Sequence, residues 1–307
     1  MINFTPTYLE HDVAARFERD INQMYLRVRF KHGGDYDHKY WFERFLEYYN
    51  FWNFLCITNE LQSGIWIESF RQCFYASKQE LMRPGVPPVH VPEYREQLLE
   101  LILAKLVKIF SVPAFLEELK AREEKHGKLV ERYSNAYDEA TKHYFDLNKI
   151  NLFLGYLPDY ANYVSILDMA KHIRSFEKFL NQFRYFPVDY LFQYQRVVRL
   201  PEKNEYGLLL SLTLNANIYQ DRVPIVMMLI QLWYFATESM GMGIELDTEM
   251  TAQNHPVGFM FGEFDDVSDF DLLLRQDLTS TAETSTNVRV WPIGFKHFIG
   301  RVPHRRG

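Results

Sequence analysis

Over the first two hundred residues, apolar side chains recur at three and four positions. Leu9, Val13, Phe17, Ile21, Met24 and Val28 mark one face of a first helix, which Gly33-Gly34 would stop. A second helix is predicted over 39–62, where Tyr40, Trp41, Phe42, Phe45, Tyr48, Phe51, Trp52 and Phe54 make nearly every face apolar. A third covers 65–82. Four prolines within 84–92 forbid helix and predict an extended strap. Helices then follow at 93–110, from Pro113 with a pause at Gly127, over 128–147, from Tyr160 to about Tyr185, and from Pro187 to Leu200.

Beyond residue 205 the period falls to two. Leu210, Leu212, Leu214, Ala216 and Ile218 alternate with Ser211, Thr213, Asn215 and Asn217, which predicts a half-buried strand over 207–219. A helix after Pro224, ending near Gly241, and short strands at 257–264 and 288–293 follow. A short helix or strand at 270–274 and an exposed loop at 277–287 complete the C-terminal reading. The expected fold is mainly α: a multi-helix body over 1–203, and a smaller α+β part over 204–307 with an acidic stretch and a basic tail.

Composition changes this picture in one respect. Aromatic residues are 16% of the chain, with 25 Phe and 20 Tyr, enough for a partner surface as well as a core. Trp41, Tyr48 and Trp52 on the all-apolar helix are the expected anchors. With 14 Gly, 13 Pro and no low-complexity tract, extensive disorder is excluded. The segment MINFTPTYLE lacks the basic start and apolar run of a signal peptide. The longest apolar run, Val223 to Ala236 around Gln231, is too short to span a bilayer and predicts a buried core helix. Cys56 and Cys73 lie in apolar helical patterns without metal-ligand spacing, so buried reduced thiols and a cytoplasmic setting are expected.

Charge is segregated along the chain. Residues 238–283 hold eleven acids and a single base, Arg275, whereas 284–307 hold Arg289, Lys296, Arg301, Arg305 and Arg306 and no acid. Either the tail folds back on the acidic stretch or it meets an acidic partner.

The candidate catalytic segment is Phe259 to Leu274, FMFGEFDDVSDFDLLL. Asp269 and Asp271 would share one face of a strand and could hold Mg²⁺ through hard oxygen ligands. Ser268 to Leu274 resembles the second signature strand of nucleotidyltransferases of the polymerase-β type. The resemblance implies Mg-dependent nucleotidyl transfer, with Gly262 at that family's Gly-Ser turn. Glu263 stands in place of the serine, the interval from Gly262 to Asp269 is short, and no acid follows Glu283.

Other pairings are simpler. His11-Asp12 matches the central pair of HD-type phosphohydrolases, but no upstream histidine accompanies it. Glu123-x-x-His126 occurs once, where a di-iron helix bundle needs two copies. Asp168 with His172, and Glu139 with His143, read as surface pairs one helical turn apart. No nucleophile elbow, P-loop or G-x-G-x-x-G is present.

A third function class rests on 171–203, where Arg174, Arg184, Arg196 and Arg199 are interleaved with aromatics such as Tyr185. Phosphate neutralisation with base stacking would use such a mixture. The leading expectation is nevertheless non-enzymatic: a partner-binding or self-associating assembly subunit, of the immunity, accessory or particle-component kind, in a bacterial or phage system. Its aromatics would supply affinity. Its acidic stretch 245–271, or a tail carrying Arg301, Arg305 and Arg306, would set orientation.

Overall fold

The computed structural model describes residues 7–30, 36–57, 61–81, 94–200, 205–246, 290–293, 295 and 298–303. The strap at 84–92, the acid-rich segment with Asp269 and Asp271, the expected elements at 257–264, 270–274 and 277–287, and Arg305 and Arg306 lie outside these residues. The chain is mainly helical with a smaller sheet part. It divides into two compact units. A helical unit holds Leu9–Glu124 and Arg289–Ile293, and a sheet unit holds Met1–Tyr8, Lys125–Val288 and Gly294–Gly307.

The helical unit contains α1 (Thr7–Phe30), α2 (His38–Glu47), α3 (Tyr49–Ile57), α4 (Ile65–Leu81), α5 (Arg95–Ser111) and the start of α6 (Pro113–Thr141). The single helix expected over 39–62 is two helices. Asp37 caps α2 by accepting from the Tyr40 amide at 3.0 Å. The break falls at Tyr48, because the Phe45 carbonyl accepts from the Tyr48 amide at 3.2 Å and from the Trp52 indole at 2.9 Å. The core is aromatic. Phe17 meets Phe45, Tyr48, Phe51 and Phe70 edge-on with centroids 4.8–5.6 Å apart. Such pairs add about 0.5–1.5 kcal/mol each beyond buried area. A second cluster joins Tyr25, Trp66, Phe110 and Phe115. The buried Arg71 ties α4 to β1 (Leu61–Ser63) by donating to the Leu61 carbonyl at 2.6 Å. β1 pairs antiparallel with β6 (Val290–Pro292).

The sheet unit is built on β2 (Leu147–Tyr156), β3 (Tyr190–Leu200), β4 (Glu205–Asn215), β5 (Gly241–Glu245) and β7 (Phe298–Arg301). These form one antiparallel sheet in the order β5-β2-β4-β3-β7. The strand expected over 207–219 is β4, which ends at Asn215 and is not half-buried, since Leu209 and Thr213 are buried along with Leu208, Leu210, Leu212 and Leu214. Three helical expectations are corrected here. α6 runs through Gly127 without pausing and ends at Thr141, with β2 following. The long helix from Tyr160 is a single turn, α7 (Pro158–Ala161), and then α8 (Ile166–Leu180). The helix expected from Pro187 is the strand β3.

The reason lies in burial. Tyr190, Phe192, Tyr194, Val197 and Val198 favour a pleated surface. Both faces of β3 are covered, so Gln193 and Gln195 are buried as well, and the polar-apolar alternation that would advertise the strand is confined to Phe192 through Gln195. α8 and α9 (Val223–Ala236) cover one face of the sheet. There Tyr156 meets His172 and Trp233, and the Trp233 indole donates to the Gly155 carbonyl at 2.6 Å. The end of α6 covers the other face, where Tyr137 meets Phe192 edge-on at 5.3 Å.

Candidate functional site

Two places in the sheet unit could carry function: a polar cluster at the end of β2 and the outer side of α9.

The cluster starts from the α8 N-terminus. Ser165 accepts from the Asp168 amide at 3.1 Å, and the Asp168 carboxylate accepts from the Ser165 hydroxyl at 2.6 Å and its amide at 3.2 Å, a complete capping box. Burial raises the Asp168 carboxyl, but the hydrogen bonds from Ser165 and Lys171 outweigh it and hold the carboxyl below its ordinary 3.8. One turn on, His172 turns inward, and its Nδ1 lies 2.8 Å from the Tyr156 hydroxyl, which is 3.1 Å from the Met169 sulfur. The expectation that Asp168 and His172 form a surface pair is corrected: His172 is buried and its partner is a tyrosine. Burial lowers the His172 pKa below 6.5 and raises the Tyr156 phenol well above its usual range, so the pair is neutral at pH 7. Nearby, α9 ends in a turn with Glu238 at φ 55° and Ser239 at φ 74°. Glycine usually takes this left-handed position, and each substitute costs of order 1 kcal/mol. The Ser239 amide bonded to the Tyr234 carbonyl at 2.8 Å holds the turn. This arrangement satisfies buried polar atoms. The Asp168 carboxylate serves the cap, and no cluster of three or more His, Cys, Asp or Glu fit for a metal exists among the described residues.

The α9 surface is different in kind. Ile225, Val226, Leu229, Leu232, Trp233 and Ala236 face inward. On the opposite side, Val223 is 60% exposed, Met227 62%, Tyr234 40% and Phe235 56%. The expectation of a buried helix is thus met on one side and corrected on the other. A helix apolar all round with an open side leaves large apolar side chains facing water. Charge enters only at the ends. Arg222, 3.2 Å from Glu245, precedes the helix, and Glu238 follows it.

The expected site residues are dispersed. Trp41, Tyr48 and Trp52 are 4%, 6% and 0% exposed, so they are core residues of the helical unit, which corrects their role as anchors. The Tyr48 hydroxyl donates to Asp20 at 2.6 Å, beside the Arg44–Asp20 ion pair at 2.7 Å. Arg301 lies on β7, where its Nε donates to the buried Gln193 at 3.2 Å and its Nη2 is 3.7 Å from Glu177, within the sheet unit. Gln193 donates onward to Gln195, which donates to Glu177.

Of the nucleic-acid candidates, Arg184 and Tyr185 come together, the exposed guanidinium 4.4 Å from the ring centroid. Arg174 is exposed on α8. Arg196 is buried on β3, and burial lowers its pKa, so the candidates do not share one open face. Arg199 pairs through its backbone with Tyr206. Cys56 and Cys73 are buried free thiols. Burial raises both, Cys73 to about 12, and leaves them protonated and unreactive. No helix is long and apolar enough to cross a membrane among the described residues. The Val223, Met227, Tyr234 and Phe235 surface was legible only as an unbroken apolar run, a signal that does not say which side stays open.

No protein-family model, curated protein or solved structure matches this chain.

Proposed function

We propose that the protein is a partner-binding or assembly subunit that acts by docking rather than by catalysis, and that the outer side of α9 is its contact surface. One observation carries this reading: Val223, Met227, Tyr234 and Phe235 form an exposed, mainly apolar stripe, broken by Gln231, on a helix packed against the sheet. Aromatics and Met are the side chains that interface cores favour. Two buried, protonated thiols suit a reducing, cytoplasmic setting. An immunity, accessory or particle-component role in a bacterial or phage system fits a chain of this kind.

The test compares the native mass of the tagged chain in extracts of its source cells, as wild type and as Met227→Glu. Wild type should travel in a particle heavier than the 36.7 kDa chain, and the variant should not. If both migrate as a single chain, the docking role is wrong.

A further inference from the structure

Apart from the α9 surface, we infer that the outer side of α8 and the turn after it bind a single-stranded nucleic acid, with a row of cations on its phosphates and exposed rings against its bases. Three observations carry this.

The first is the row. Lys171, Arg174 and Lys178 are exposed on α8, while His172, Ile173, Phe176 and Leu180 face inward. At 3.6 residues per turn the three cations fall within about 60° of the helix surface and about 10 Å of its length. Arg184, also exposed, continues the row past the helix end. Lys171 lies 3.3 Å from Asp168, and a surface ion pair of this kind is too weak to withhold the ammonium from a phosphate.

The second is charge balance. Between 169 and 188 the sole acid is Glu177. It accepts from Gln195 and lies 3.7 Å from Arg301, so its charge is turned toward β3 and β7 and matched there. The net charge of −6 comes from 238–283, where eleven acids face one base in sequence. The α8 row is thus locally positive, and its complement is a polyanion.

The third is the rings. Phe183 is 51% exposed and Tyr185 39%. Tyr185 stands edge-on to Phe179, the neighbour of Lys178 on α8, with centroids 5.2 Å apart. The Arg184 guanidinium lies 4.4 Å from the Tyr185 centroid and donates to its hydroxyl at 2.7 Å. Cation and rings are therefore held together at one end of the row. Cations alone suit any polyanion. Rings beside them suit unpaired bases, whose stacking supplies the other half of single-strand binding. Arg196, buried on β3, takes no part.

The experiment is fluorescence anisotropy of a labelled oligothymidylate of about ten nucleotides, titrated with the purified full chain. The dissociation constant should be on the order of 10 μM at about 50 mM salt, and should weaken about fiftyfold by about 200 mM, the slope of four phosphate contacts on a single strand. Arg174→Ala with Lys178→Ala should cut that loss to about sevenfold, with an unchanged circular-dichroism spectrum because both side chains are exposed. Phe183→Ala should weaken binding about tenfold at every salt concentration and leave the slope alone. Lys39→Ala with Lys108→Ala, at exposed lysines of the helical unit, should change neither quantity. No binding at about 50 mM salt, a slope indifferent to the α8 pair or equally reduced by the control pair, or binding indifferent to Phe183→Ala would each overturn the proposal. Competition by polyglutamate as strong as by unlabelled oligothymidylate would assign the row to an acidic protein instead, and tighter binding of a duplex would remove the role of the rings; either result defeats it.

Discussion

Replacing Gly207 by alanine tests the core of the sheet unit. A Cβ at Gly207 would lie 2.0 Å from Cε2 and 2.4 Å from Cζ of Phe153. Carbon atoms sit comfortably at about 3.5–4.0 Å, so the ring would have to retreat by about 1.5 Å. Its other edge already lies 2.7 Å from the place a Cβ would take on Gly155, so sliding along the sheet offers little room. The ring would have to lift away from β2 and β4. Overpacking of this kind costs about 1–3 kcal/mol. Returning some 40 Å² of the ring to water adds about 1 kcal/mol. Gly207→Ala should therefore destabilise the sheet unit by about 2–4 kcal/mol.

Phe153→Leu, which removes the obstructing ring edge, should cost about 1–2 kcal/mol alone. In that background Gly207→Ala should cost less than about 1 kcal/mol, a coupling of about 1 kcal/mol or more. The assay is urea unfolding of all four proteins, followed by far-ultraviolet circular dichroism and by Trp fluorescence, to which Trp233 in the same unit contributes. Gly207→Ala within about 0.5 kcal/mol of wild type, or additive effects in the double variant, would show that the ring does not lie across the two glycines.

Three further outcomes are expected. Because the folded pKa of His172 lies below 6.5, the unfolded chain binds its proton more readily; stability is full above pH 6.5 and is lost as pH falls below it, and His172→Gln should flatten that part of a pH–stability curve, while an unchanged slope would show His172 to be solvated. Ser165→Ala removes the hydroxyl half of the α8 capping box and should cost about 1 kcal/mol in urea unfolding, whereas a neutral effect would mean that the cap does not hold α8. Tyr48→Phe takes a hydrogen bond from the buried Asp20 carboxylate and should lower the stability of the helical unit by about 1.5–3 kcal/mol, with loss of less than 0.5 kcal/mol counting against the Asp20–Arg44–Tyr48 cluster.

The sequence by itself determined the helical majority of the chain, β4 and the start of α9, whose expected end near Gly241 is instead the start of β5, the helix stopping at Ala236. A helix with one buried side leaves a period of 3.6, and β4 shows a period of two because Ser211 and Thr213 separate Leu210, Leu212 and Leu214, although Thr213 is itself buried. The Ser165–Asp168 cap is local in its chemistry, yet the unbroken helix expected from Tyr160 runs through it. Only the tertiary structure decided that 190–200 is a strand. Its alternation is confined to Phe192 through Gln195, and Gln193 and Gln195 are tolerated inside a strand covered on both faces because Glu177 and Arg301, from α8 and β7, satisfy them. It decided likewise that His172 turns inward, since Tyr156, sixteen residues away, supplies the partner. The same holds for the aromatics. Trp52 and Phe235 are equally apolar in composition, but Trp52 has Phe70 and Phe74 across from it and Phe235 remains 56% exposed. Burial is a property of what lies opposite a side chain, and that is set by packing between segments distant in sequence, which local periodicity does not encode.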